Sequence, residues 1–405
     1  MLDARAAKTA SDGALLSGIR VLDFGRYIAG PYCAGLLSDL GAEVIRIEKV
    51  DGSEDRYILP TMPNGEGAVH LQMNRNKLSL TLNPNKPEGR EVVQRLVMTA
   101  DVVVANLPVN GLRAMGIDYE SLKAIRPDII LSSLSAFGHR GPYMSRSGFD
   151  GIAQAMSGAV YMSGIDGQPV KSYASWCDFG TGLAAAYGTV AALLHRFRTG
   201  CGQMVSADLL RTAVNFFHFN NLEAYLKDRN RPRSGNRGQF GAPADLFRTL
   251  DGWIQAQVIG QTQFKRWCQL IGKSELVDDL RFQSDSDRAE NGQLLNAHMQ
   301  AWIGDLTTKK AMELLEKVGI PAGPMLSPTE VISDPHVLES GLISWIEYPG
   351  LTSPVPLANS PVELSAFDTQ TRVRSPTLGE HTNEVLVSLG YSQEEITNMR
   401  RARVV

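Results

Sequence analysis

Through the first third of the chain, short apolar runs alternate with amphipathic stretches. Ile19–Phe24, Glu43–Glu48, Leu78–Leu82, Asp101–Ala105 and Asp128–Leu134 are rich in Val, Ile and Leu. Their near-continuous apolar character predicts strands buried on both faces. Gly30–Leu40, a stretch opened by Pro87-Glu88, and Tyr119–Ile125 instead carry apolar residues at helical spacing. Proline in a first turn with an acid beside it suits a helix start. Strand–helix alternation of this kind predicts an α/β fold, a parallel sheet with helices on both faces.

After Gly200 the rhythm changes. A helical stretch over Ala207–Asp228 ends in the polar, turn-rich Arg229–Arg237, and residues 240–325 hold a strand near Trp253–Val258 and several short helices. Pro321–Pro328 leads out, and residues 330–405 mix loops with one helix, Glu384–Gly390, returning to the first domain. At 405 residues the chain exceeds one ordinary core. The expected division is a large domain of 1–205 and 330–405, a helical linker over 206–239 and a small domain of 240–329.

Composition narrows the classes. Apolar and charged fractions of 43% and 20% are those of a globular protein, and a net charge of −3 argues against nucleic acid as a partner. The four cysteines, Cys33, Cys177, Cys201 and Cys268, show no metal-site spacing, so we expect no metal, reduced thiols and a cytoplasmic protein. The polar N-terminal segment lacks the apolar core of a signal peptide, and no apolar run approaches the roughly 20 residues of a membrane span. The run Leu183–Leu194 reads as a buried helix, and no membrane association is expected.

Three places could carry chemistry. Glu48 ends the second strand where a ribose-binding acid would sit, but Gly25, Gly30, Gly35 and Gly41 do not have the GxGxxG spacing of a pyrophosphate turn. The helix start near Gly30 could bind an anion or simply mark a break. The loop Ser133–Pro142 offers His139 as an acid–base group or as an idle loop histidine, with Arg140 and Arg146 available to a phosphate. In Trp176-Cys-Asp-Phe-Gly-Thr-Gly182, Asp178 is either a helix cap or a nucleophile, with Gly180 and Gly182 leaving room for an acyl group. Cys177, the rival nucleophile, has no histidine near it in sequence.

The stretches VLDFGRYIAGPYCAGLLSDLGAEVIRIE, NRNKLSLTLN with PEG, DVVVANL, GHRGPYMSRSGFDGIAQAMSG, CDFGTGLAAAYGTVAALLHRFRTGCGQ, IPAGPM and LGEHTNEVL follow one another in an order that resembles the class III CoA-transferases, the CaiB–BaiF family. The resemblance implies a large Rossmann-like domain with an inserted smaller α+β domain, and two ring-like subunits interlocked as a homodimer. It implies Asp178 as catalytic residue and CoA contacts near Ala29, Lys49, Leu82, Asn83, Asn106 and Leu107. The family's arginine falls at Ala114, and here Arg113 stands one step earlier. Arg146 matches its basic residue before Gly148-Phe149-Asp150, and Gly235–Gly241 stands where some members carry a glycine lid. The implied activity moves CoA from an acyl-CoA to a free carboxylic acid through an aspartyl mixed anhydride and an aspartyl-CoA thioester. CoA would be a substrate, with no permanently bound cofactor. Two alternatives accompany it. An α-methylacyl-CoA racemase would need a histidine where Phe149 stands. A non-catalytic CoA-binding protein would have no need of Asp178.

Overall fold

Six strands pair in parallel, in the order β3-β2-β1-β4-β5-β6: β1 Arg20–Asp23, β2 Glu43–Glu48, β3 Lys77–Thr81, β4 Val102–Ala105, β5 Ile130–Ser135 and β6 Met204–Asp208. The computed structural model describes residues 14–58, 61–63, 65–228 and 230–405; residues 1–13 of the polar N-terminal stretch and Arg229 of the turn-rich segment lie outside them. The first five strands fall where the apolar runs predict, and β1 registers Val21 with Val44 and Val102. Their alternate side chains explain why the runs are apolar throughout. Val21, Val44 and Val104 join a core on one face, while Leu22, Ile45 and Val103 join a core on the other.

β6 corrects the expectation of helix from Ala207. Residues 204–208 pair with β5 from Leu131↔Met204 to Ser135↔Asp208, and helix begins only at Leu209. Gly202 allows this return, because a Cβ there would stand 2.1 Å from the Ile129 carbonyl oxygen. A five-residue strand with polar Ser206 and Asp208 carries too short an apolar pattern to declare itself.

Seven helices matter to the site: α1 Ala29–Asp39, α2 Pro87–Thr99, α3 Asp150–Met156, α4 Trp176–Thr199, α5 Leu209–Lys227, α6 Thr382–Ser388 and α7 Gln393–Arg401. α1 and α4 bury Cys33, Leu37, Ala185 and Leu193 in the first core; α2, α6 and α7 bury Val92, Leu96, Leu386 and Ile396 in the second. α4 starts at Trp176, well before the expected Leu183, and stops at Gly200, whose φ of +74° is a left-handed cap. Among the described residues it is the one helix long and apolar enough to cross a membrane; half of its most apolar stretch is buried in the protein. α7 is a further helix where the sequence pattern predicts only Glu384–Gly390. Its Ser392 and Glu395 form a reciprocal capping box, the Ser-x-x-Glu signature of a helix start.

The described residues of 1–157, 172–221 and 335–405 form one compact unit, and those of 158–171 and 222–334 a second. This differs from a linker beginning at 206, because β6 and the buried Leu209 and Ala213 pack within the first unit. The second unit has a three-stranded antiparallel sheet, Ala322–Pro324 beside Trp253–Gln257 beside Ala244–Arg248. Helices Gln261–Leu270, Gly292–Ile303 and Thr308–Lys317 enclose its core of Phe247, Ile254, Trp267, Met299 and Leu315.

Candidate active site

From β1 the chain runs outward through β2 and β3, then crosses back to β4 on the other side of β1. Loops leaving β1 and β4 therefore diverge, and the crevice between them, at the carboxyl ends of the strands, is where open α/β sheets bind ligands. A cleft of about 1260 Å³ occupies this place. It is lined by Arg26 and Tyr27 after β1, Lys49 after β2, Leu82 to Lys86 after β3, Asn106 to Asn110 after β4, Ser135 at the end of β5 and Ala136 to His139 after it, with Arg146 and Phe149 beyond.

Asn106 fastens the switch point. Its Oδ1 accepts the Arg26 backbone N–H at 2.7 Å, and its Nδ2 donates to the Arg26 carbonyl at 2.8 Å. Gly30 is needed beside it, since a Cβ would meet Gly25 Cα at 2.9 Å and Asn106 Cγ at 3.1 Å. Arg26 turns its guanidinium inward, donating to the Gly25 carbonyl at 2.7 Å and the Ile47 carbonyl at 3.2 Å. Glu48 does not serve a ribose: it is fully buried, ion-paired with Arg46 and Arg56.

Of the residues singled out from sequence, Lys49, Leu82, Asn83, Asn106, Leu107, Arg113 and Arg146 are brought together in the lining of this one cleft. Ala29 is not. It is buried at the start of α1, where its carbonyl faces Gly182. Lys49 is paired with Glu54, and Arg146 stacks over the Tyr143 ring at 4.0 Å. His139 lines the cleft with Nε2 3.1 Å from Ser133 Oγ, whereas Arg140 lies outside the lining. Arg26, Lys86 and Arg403 also line it, and no local motif announced them. Six cations (Arg26, Lys49, Lys86, Arg113, Arg146 and Arg403) face two acids, Asp51 and Glu54, so the cleft favours a polyanion.

Asp178 is not a helix cap. It is the third residue of α4, and the carboxylate serving the helix start is Asp150, 28 residues earlier. Asp150 Oδ1 accepts the backbone N–H of Cys177 at 2.8 Å and of Asp178 at 3.1 Å, satisfying donors that a helix start leaves unpaired. The Asp178 carboxylate accepts no hydrogen bond from the described residues; burial, then the adjacent Asp150 charge, pushes its pKa up to about 7. Asp178 is outside the cleft lining but linked to it. Asp150 directly follows the lining residue Phe149, whose ring meets Tyr27 edge-on at 5.7 Å.

The two glycines after Asp178 pack helices rather than admit substrate. A Cβ on Gly180 would stand 2.6 Å from the Phe216 ring, and one on Gly182 2.7 Å from the Ala29 carbonyl oxygen. Cys177 is fully buried, and burial with the charges of Asp150 and Asp178 pushes its thiol pKa up, away from the reactive thiolate. Gly235–Gly241 lies in the second unit, where the Gly238 N–H donates to the Ala244 carbonyl at 2.8 Å. Among the described residues no cluster of His, Cys, Asp and Glu could hold a metal ion.

The sequence profile of CoA-transferase family III matches residues 16–382. Succinyl-CoA:glutarate CoA-transferase of Mus musculus is 34% identical over 373 residues, covering 92% of this chain and 85% of the relative. Formyl-CoA:oxalate CoA-transferase of Shigella sonnei is 32% identical over 415 residues, covering 96% of this chain and 99% of the relative. The crystal structure of a CAIB/BAIF family protein from Brucella suis superposes with a TM-score of 0.82 at 33% identity, covering 93% of this chain and 99% of that one.

Proposed function

This chain belongs to CoA-transferase family III and is a CoA-transferase, and from that premise we propose that Asp178 is its nucleophile. The observation that carries the proposal is the half-buried Asp178 carboxylate, free of hydrogen bonds from the described residues and raised to about 7. Such a group is more basic than an ordinary carboxylate, hence a better nucleophile, yet is substantially ionised at neutral pH.

The carboxylate attacks the donor thioester carbonyl, the C–S bond breaks, and CoA leaves as thiolate. That thiolate attacks the aspartyl carbonyl of the mixed anhydride, expelling the donor acid as its carboxylate and leaving an aspartyl-CoA thioester. The acceptor carboxylate attacks this thioester and releases CoA thiolate again. Attack of the thiolate on the acceptor carbonyl then yields the new acyl-CoA and regenerates Asp178. The sequence balances without an external proton or redox partner. The cleft's cations receive the anionic part of CoA, with Lys49, Asn83, Asn106, Arg113 and Arg146 as contacts. Binding far from the reacting carbon orients the thioester.

Short dicarboxylic acids are the substrate class we propose, because the names of the mouse and Shigella relatives contain glutarate and oxalate. The assembly proposed is an interlocked homodimer with an inserted smaller domain. Its support is an apolar stripe on α4, Phe179, Leu183, Tyr187, Val190, Leu194 and Phe197, with Tyr187 77% and Phe197 89% exposed. Sedimentation should give a dimer, and a stable, active monomer would refute that assembly.

Mass spectrometry tests the nucleophile. Incubating the enzyme with succinyl-CoA or formyl-CoA and quenching in acid should leave an acyl or CoA adduct on the peptide containing Asp178. Asp178→Asn should still bind CoA, yet form no adduct and lose transfer by several orders of magnitude; full activity in that variant would overturn the mechanism.

A further inference from the structure

Residues 402–405, after α7, return to the cleft in an unusual conformation. The Asn83 backbone N–H donates to the Val404 carbonyl at 2.7 Å, Lys86 Nζ donates to the Ala402 carbonyl, and Val404 and Val405 are buried in the core. Between these anchors Arg403 has φ +50°, a left-handed conformation that costs a non-glycine residue about 1 kcal/mol. The turn leaves its side chain in the cleft lining, 65% exposed and paired only with Asp51, itself 77% exposed, among the described residues. An ion pair this open contributes little and is readily exchanged for a stronger anion.

The position of this group identifies the anion. Arg403 and Lys86 join the β3 end of the cleft through Asn83, whereas Phe149 meets Tyr27, and α4 packs its Gly182 against Ala29, both just after β1. β3 and β1 are two strand spacings apart, about 10 Å at ~4.8 Å each, so Arg403 stands to one side of the Asp178 end. With the thioester at Asp178, the β3 end meets the part of CoA most remote from sulfur, the phosphorylated ribose. We propose that Arg403, supported by Lys86, receives the 3′-phosphate of CoA, displacing Asp51, and so makes the enzyme selective for CoA over 3′-dephospho-CoA. The proposal rests on the CoA-transferase reading and deepens it. A guanidinium suits the three oxygens of a phosphomonoester, and the strained backbone holds it ready before ligand arrives.

Calorimetric titration of the full-length protein with CoA and with 3′-dephospho-CoA tests it. Wild type should bind CoA about tenfold more tightly than dephospho-CoA, the size of one charge-assisted contact. Arg403→Gln should bring the two affinities together by weakening CoA alone, Arg403→Lys should retain part of the preference, and Asp51→Asn should tighten CoA binding. Equal weakening of both ligands in Arg403→Gln, or an unchanged ratio, would overturn the assignment. Wild type binding CoA without preference would overturn it too, while leaving the CoA reading intact; wild type binding neither ligand would overturn both.

Discussion

Asp150 holds Asp178 by its backbone and disturbs it by its charge. Its Oδ1 accepts the Asp178 N–H at 3.1 Å, and the same carboxylate helps raise the Asp178 side chain to about 7. One acid therefore fixes the start of α4 and adds its charge to the burial that raises the other.

This coupling predicts a pH profile. Attack requires ionised Asp178, so kcat/KM should rise with pH through about 7 on its acid limb. Asp150→Asn keeps an acceptor oxygen for the two N–H groups but removes the charge. Its acid limb should move to lower pH by about one unit, with the fold retained by circular dichroism. A limb that stays in place would show that Asp150 does not tune the nucleophile.

The same shift predicts a pH-dependent stability. The folded pKa of Asp178 lies above its ordinary 3.8, so the folded state holds this proton more tightly than the unfolded chain. Its contribution is fully present below about 3.8 and is lost as pH rises through about 7. Asp178→Asn should therefore raise Tm at pH 8 relative to wild type, with the difference shrinking toward pH 5. Thermal melts across that range check the slope, and a constant difference would contradict it.

The glycines separate packing from substrate access. In Gly182→Ala the new methyl meets the backbone oxygen of Ala29, which cannot swing aside, whereas in Gly180→Ala it meets the Phe216 and Thr212 side chains, which can. Gly182→Ala should cost about 1–3 kcal/mol of stability and Gly180→Ala less. Activity per folded molecule should persist in both. Loss of KM or kcat without loss of Tm would instead indicate that substrate approaches these positions.

Transfer and racemisation differ at the α-carbon. The family resemblance implies that Phe149 stands where a racemase would carry histidine, and a phenylalanine side chain carries no exchangeable proton. Incubation of a 2-methylacyl-CoA in deuterated water without an acceptor acid should therefore give no deuterium at Cα beyond the enzyme-free control. Rapid exchange dependent on Asp178 would point to another base, with His139 in the cleft the first to test.

Much of this protein is written locally. Apolar runs such as Glu43–Glu48 and Asp101–Ala105 specify strands buried on both faces, and the helix starting at Pro87 is marked by its own first turn. Asp178 stands out because it is a lone carboxylate at the opening of a long apolar helix, and the order of motifs carries the family resemblance. The Ser392–Glu395 capping box was equally local, and α7 could have been read from it.

Only the tertiary structure decided what these elements do to one another. Strand order creates the crevice, and strand order is a relation among segments that local periodicity does not encode. Asn106 closes on Arg26 across 80 positions and Asp150 on Asp178 across 28, while Asn83 and Lys86 reach the segment holding Arg403 more than 300 positions later. Gly180 and Gly182 look like space for a substrate until Phe216 and Ala29 are found filling it. Side-chain spacing determines which face of an element is apolar. Which partner meets that face, and which charge a carboxylate feels, depends on contacts between residues distant in sequence.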